Sequence, residues 1–191
     1  MHETVVEILN IVSIDFQKLN DQSDQLIIYR DTLIDPEKYK VAKEKITRSE
    51  VKKKETEVLY EDDRWLVLFP LSVRSSNLYG KGTKWCVSSE DHNYGKYYKQ
   101  YTDNGILVFV IDKKVTDAES RTNDFAKIAF HNDLKKSDGI TLWDVKDSQM
   151  GVSNAMKVYS MLPSEAMDII NKRLESGLTN KEQAQKRGVR E

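Results

Sequence analysis

Apolar and polar positions divide the chain into a helical first stretch, a strand-rich middle and a helical end. Val5, Ile8, Leu9, Val12, Phe16 and Leu19 recur at helical spacing, which predicts an amphipathic helix over residues 4–19 with Thr4 as its cap. The cluster Leu26-Ile27-Ile28-Tyr29 precedes Asp35-Pro36, an N-cap acid followed by proline at the first helical position. A charged helix is therefore expected over residues 36–54, with only Tyr39, Val41, Ile46 and Val51 available for burial.

From residue 57 the pattern becomes strand-like. Val58-Leu59-Tyr60 and Trp65-Leu66-Val67-Leu68-Phe69 flank the polar run Glu61-Asp62-Asp63-Arg64 and predict a hairpin ended by Pro70. Residues 72–79 read as a short helix capped by Ser72, with Gly80 where a C′ glycine is expected. Residues 83–88 are predicted as a strand, and the tyrosine-rich residues 91–102 as a helix ended by Asn104-Gly105. Residues 106–111, Ile-Leu-Val-Phe-Val-Ile, are apolar at every position, which predicts a central strand covered on both faces. Residues 125–130 and 140–145 form a second hairpin across a loop containing Asp138-Gly139.

Towards the end, Met156, Tyr159 and Met161 are expected on the sheet, and Pro163-Ser164-Glu165 opens a helix with Met167, Ile170 and Leu174 on one face, closed by Gly177. The class expected is α+β, a mainly antiparallel sheet of about five or six strands flanked by N- and C-terminal helices. Its divisions are a helical segment over 1–56 packing on the body, an α+β core over 57–177 and a polar, flexible tail over 178–191.

Composition adds limits. The chain has 191 residues, enough for one hydrophobic core. Its 30 Lys and Arg nearly cancel 31 Asp and Glu, so no global field steers it to nucleic acid or a membrane. Lys52, Lys53 and Lys54 concentrate charge at one end of the charged helix, which reads as a solvated, ion-paired face or a partner patch. Aromatic interleaving is missing there, so nucleic acid is not an expected partner. No membrane contact is expected either, since no run approaches the roughly 18 apolar residues of a spanning helix. Cys86 is the single cysteine, which excludes an internal disulfide; with no secretory signal in Met1-His2-Glu3, a reducing, cytoplasmic setting follows.

The segment Gly80-Lys81-Gly82-Thr83-Lys84 combines two glycines, two lysines and a hydroxyl, a composition that suits a phosphate or another small anion. It lacks the Walker spacing and a following helix, and a glycine turn with solvated lysines accounts for the same residues. On an extended strand Lys84, Cys86 and Ser88 share one face, and Thr83, Trp85 and Val87 the other. Cys86 would then be a nucleophile with its pKa depressed by Lys84, with His92 or His131 as base and Asp144 or Asp147 orienting the ring, or else a small core filler. Asp144 and Asp147 would bind a divalent cation or simply form a turn. His92 and His131 with one cysteine do not make a transition-metal site, and no cofactor signature is present. Tyr94, Tyr97, Tyr98 and Tyr101 trace a broad helical face suited to a core or an interface; Tyr97 and Tyr101 join the glycine loop as candidate contact residues.

The run from Tyr60 to Ile111 resembles a domain of uncharacterised proteins from tailed bacteriophages. The carrying residues are Tyr60-Glu61-Asp62-Asp63-Arg64-Trp65, then Tyr79-Gly80-Lys81-Gly82-Thr83-Lys84-Trp85-Cys86, the aromatic helix to Tyr101 and the strand 106–111, with Trp143, Asp144 and Asp147 fitting later. Val87 departs from the pattern, where similar proteins tend to carry a small hydroxyl residue. The resemblance implies a phage origin, and with it a non-enzymatic binding module acting on a host or phage protein, in the host cytoplasm or packaged in the virion. The module would alternatively sequester a small anionic ligand through residues 80–84. The competing expectations are a nucleotide-recognising enzyme, with ADP-ribosyl transfer as one example, and a cysteine hydrolase built on Cys86.

Overall fold

The computed structural model describes residues 50–88, 95–136 and 139–189. The helix expected over 4–19, the charged helix before residue 50, and His92, Tyr94 and Asp138 lie outside those residues. Residues 50–54 are helical, with Val51 buried, and lead into the sheet. Its strands are β1 (Thr56–Glu61), β2 (Trp65–Pro70), β3 (Gly105–Asp112), β4 (Lys127–Asp133) and β5 (Ile140–Trp143). They pair in sequence order, every neighbour antiparallel, so the described sheet is a five-stranded meander. The expected α+β class with an antiparallel sheet is what the chain adopts.

Each strand follows from its local chemistry. Asp62 turns the β1–β2 hairpin by accepting from the Arg64 and Trp65 backbone N–H groups at 2.7 and 2.5 Å. β3 is buried at all eight positions, as a strand apolar on both faces must be. On one face Ile106, Val108 and Val110 join Val67, Phe69, Ile128 and Phe130. On the other, Leu107, Phe109 and Ile111 join Leu66, Leu68, Trp85 and Tyr98.

Helices close the two faces. Before β3 come α1 (Val73–Gly80), a 3-10 turn (Cys86–Ser88) and α2 (Lys96–Thr102), which cover the Leu107–Phe109 face. Ser72 caps α1 by accepting from the Ser75 N–H at 3.0 Å, as expected. After β3 come the short α3 (Asp117–Ser120), then α4 (Val152–Met161), α5 (Ser164–Glu175) and α6 (Asn180–Lys186). Val158, Ala166, Ile170, Leu174 and Ala184 of the last three seal the Phe130 face.

Four expectations need correction. Residues 178–191 are not simply a polar tail: Thr179 and Glu182 form a capping box that starts α6, and Asn180 is fully buried. The Asn180 carboxamide accepts from the Leu107 N–H at 2.7 Å and donates to the Pro70 and Leu107 carbonyls at 2.8 and 2.9 Å. It thereby fills the gap where β2 and β3 stop pairing beyond Leu68 and Phe109. Residues 83–88 are not a strand, because Lys84 N–H and the Trp85 indole N–H reach the Val145 and Asp144 carbonyls instead of a neighbouring strand. Gly80 is the last helical residue of α1 rather than a left-handed C′ glycine, and its role is close packing, since a Cβ there would collide with the Ser88 side chain. Met156 faces outward on α4, whereas Tyr159, though partly exposed, meets the Phe130 ring edge to face with centroids 6.3 Å apart, Met161 packs on the same core, and Val158 supplies the fully buried contact.

Candidate functional site

The Gly80–Lys84 loop is tied down from within. Thr83 N–H and Oγ1–H both reach the Gly80 carbonyl, at 3.0 and 2.7 Å, and Trp85 N–H donates to Thr83 Oγ1. Gly82, at φ +86°, lies so close to the Asp117 carbonyl and Ser120 Oγ that no side chain fits. Beneath the loop, the buried Lys127 ammonium donates to the Tyr79 and Lys81 carbonyls at 3.0 and 2.5 Å and to Asp117 Oδ1 at 2.7 Å. The loop thus presents carbonyl oxygens to an internal cation, the reverse of an anion cradle, while the Lys81 and Lys84 side chains are exposed. Lys127 was the informative residue here: a lone charge in the apolar run 125–130 is the signal that marks it.

A pocket lies further along the same segment. It forms on the Leu107–Phe109 face because position 129 is alanine, register-paired with Phe109 on one side and Trp143 on the other. The hollow above Ala129 is closed by Cys86, Tyr101, His131, Trp143 and Asp147 and has a volume of about 20 Å³, room for one water-sized group. A polar groove of about 290 Å³ shares Tyr101, His131 and Trp143 with it. Gln100, Thr141 and Gln149 line that groove with Asp133 and Lys136, whose charged groups pair at 3.5 Å.

His131, Trp143 and the Asp147 turn are each fixed by neighbouring groups. His131 Nε2 meets the Tyr101 carbonyl at 3.2 Å; a carbonyl only accepts, so Nε2 carries the proton and Nδ1 is left as an acceptor. The two rings meet edge to face with centroids 4.9 Å apart, and burial pushes the imidazole pKa down, favouring the neutral ring. Trp143 is fixed by its indole N–H donating to Thr141 Oγ1 at 3.1 Å. Asp147 sits in a tight turn in which Asp144 Oδ1 accepts from the Lys146 and Ser148 N–H groups at 2.8 and 3.0 Å. That turn gives Asp147 a φ of +63°, the one positive φ of a non-glycine among the described residues.

The turn docks on Lys84 and Trp85 through the Val145 and Asp144 carbonyls, which brings Asp147 beside Cys86 in the wall of the hollow. Tyr101 lines the same hollow. Burial first, and then the nearby Asp147, push the Cys86 pKa up; burial raises Tyr101 and Asp147 as well. Lys84 is not among the groups acting on the thiol, so the depressed pKa expected for it is replaced by the opposite shift. Asp147 faces the thiol rather than the His131 ring, and Asp144 is engaged in its own turn. No cysteine–histidine–aspartate relay is assembled among the described residues.

Of the residues singled out from sequence, Cys86, Tyr101, His131 and Asp147 come together. Gly80, Lys81, Gly82, Thr83 and Lys84 do not line the pocket, and Tyr97 is exposed on α2 while Tyr98 is buried, its hydroxyl donating to the Pro70 carbonyl at 2.9 Å. Among the described residues no group of three or more His, Cys, Asp or Glu is placed to hold a metal ion, and no helix is long and apolar enough to cross a membrane.

Fold and pocket together define an antiparallel meander of α+β class with an aromatic-walled recess on one sheet face. No family model matches the chain, and no curated protein or solved structure matches it.

Proposed function

We propose that the chain is a non-enzymatic binding module that engages its ligand or partner through the Tyr101–His131–Trp143 pocket. The observation that carries this reading is the joining of a small apolar hollow to a larger polar groove by those three side chains. An apolar recess with a few fixed polar groups is the usual form of a recognition site. The phage-type pattern of residues 60–111 makes a host or virion component the partner class in this proposal. The inward-facing carbonyls around Lys127 count against anion capture by residues 80–84.

The nucleotide-recognising alternative draws support from the paired aromatic walls Tyr101 and Trp143 beside amide and hydroxyl groups. The cysteine-hydrolase alternative has less, since the Cys86 thiol is pushed away from its reactive thiolate form. A ligand screen by backbone amide NMR, including nucleotides, simple amines, sugars and inorganic phosphate, tests the proposal. Saturable shifts centred on Tyr101, His131 and Trp143, abolished in Tyr101→Ala, are expected. Shifts centred on residues 80–84, or turnover of a bound nucleotide, would overturn it.

A further inference from the structure

Among the described residues, Asp133, Asp144 and Lys146 around the pocket each have a local partner, and Asp147 stands apart. In the groove Asp133 pairs with Lys136 at 3.5 Å. Behind it, Asp144 is satisfied by two backbone N–H groups, and Lys146, the cation nearest Asp147 in sequence, reaches away to Asp124 at 2.7 Å. His131 Nε2 is engaged with the Tyr101 carbonyl. Asp147 is left beside Cys86 in the pocket wall, and no cation pairs with it among the described residues. A carboxylate has about four acceptor sites, which a cationic donor group would fill.

The surroundings of that carboxylate specify what would complement it. Trp143 and Tyr101 present aromatic rings, whose faces attract cations. The hollow of about 20 Å³ admits a head the size of a water molecule, which an ammonium group is and a trimethylammonium or guanidinium group is not. The groove of about 290 Å³ then takes the rest of the molecule along Gln100, Thr141 and Gln149.

Resting on the pocket reading above, we propose that the site binds a primary alkylammonium group, its head against Asp147 and its methylene stem between Tyr101 and Trp143. A free aliphatic amine and the lysine side chain of a protein partner share this chemistry. The backbone supports a clean test, because asparagine accepts the left-handed conformation that position 147 requires.

The experiment titrates n-butylammonium chloride into the full chain while amide and indole NMR signals are followed, with n-butanol as the neutral isostere and sodium chloride matching ionic strength. Saturable shifts at Tyr101, His131 and Trp143 are expected with the amine and not with the alcohol. Asp147→Asn should weaken binding about tenfold or more, the scale of a lost charged hydrogen bond. Glu175→Gln, an exposed acid on α5, should leave it unchanged. Tighter binding of spermidine than of Nα-acetyl-lysine amide would identify a free polyamine as the source, and the reverse order a lysine side chain. Equal binding of butanol and butylammonium, or an unaffected Asp147→Asn, would overturn the ammonium assignment. A nucleoside that fills the pocket where the amine does not would also overturn it, yet preserve the pocket itself. Silence of all probes at these residues would remove both. The butanol comparison uses the unaltered chain, so it stands even if the variant fails to fold.

Discussion

Strand β4 shows two ways of closing a sheet. Its residues Ile128 and Phe130 point to helices α4 to α6 and are fully buried among Val158, Ile170 and Leu174. One position over, Ala129 and His131 point to the opposite face, where α2 and the Cys86 turn leave a hollow walled by tyrosine, tryptophan and aspartate. The first face is an apolar seal whose residues serve stability. The second gives up contact area at a small residue and gathers polar groups there, and its Asp147 pairs with no cation among the described residues. The proposal places the ligand on this second face, where packing is given up at one point.

Truncation separates the two faces most strongly. Phe130→Ala on the sealed face should cost about 3–5 kcal/mol, from lost transfer energy and the cavity left behind. Trp143→Ala on the pocket face should cost only about 1–2 kcal/mol, because the indole is only partly buried and stands beside existing space. Urea unfolding of both variants measures the contrast. Equal losses would mean that the pocket face is packed as tightly as the other.

Asn180 comes next in size, and it tests whether the end of the chain belongs to the sealed face. Asn180→Ala would leave the Leu107 N–H without its side-chain acceptor and take one donor from each of the Pro70 and Leu107 carbonyls, a loss of about 2–3 kcal/mol. A change below about 0.5 kcal/mol, the range of ordinary surface substitutions, would return residues 178–191 to the status of a dispensable tail.

How much of this was readable from the sequence depends on the range of the interactions involved. The uninterrupted apolar run 106–111 announces a strand buried on both faces, and the Ser72 cap and the hairpin before Pro70 are equally local signals. Residues 83–88 mimic a strand because the buried Trp85 and Val87 alternate with the exposed Lys84 and the half-buried Cys86. Their hydrogen-bond partners lie some 60 residues away, at Asp144 and Val145, which no local alternation reveals. Cys86, His131 and Asp147 were visible as chemistry-bearing types, but the hollow that unites them depends on Ala129 standing in register with Phe109 and Trp143. Asn180 was hidden by the polarity of its neighbours, although the Thr179…Glu182 spacing carries a capping box.

The smallest expected effect has the opposite sign. Burial raises the Asp147 pKa above its ordinary 3.8, so the native state holds this proton more readily than the unfolded chain does. Between the ordinary and the raised value the native state therefore binds more protons, and the group's contribution to stability falls as pH rises through that window. Above it, the ionised carboxylate is a standing destabilisation. Glu119 and Glu182 behave inversely: their pKa values are held down by the N–H groups they cap, so their contribution is present above the ordinary 4.5 and lost as pH falls through the lowered values. They are unchanged in an Asp147→Asn chain and cancel in the comparison. That variant should melt about 1–2 °C higher than the unaltered chain at pH 7 and level with it near pH 3. Saturating butylammonium should stabilise the unaltered chain more than the variant, since only the former offers the ammonium its counter-charge. A variant that melts lower at pH 7 without ligand would show the carboxylate to be a structural support, and the contrast between a sealed face and a receptive one would lose its sharpest mark.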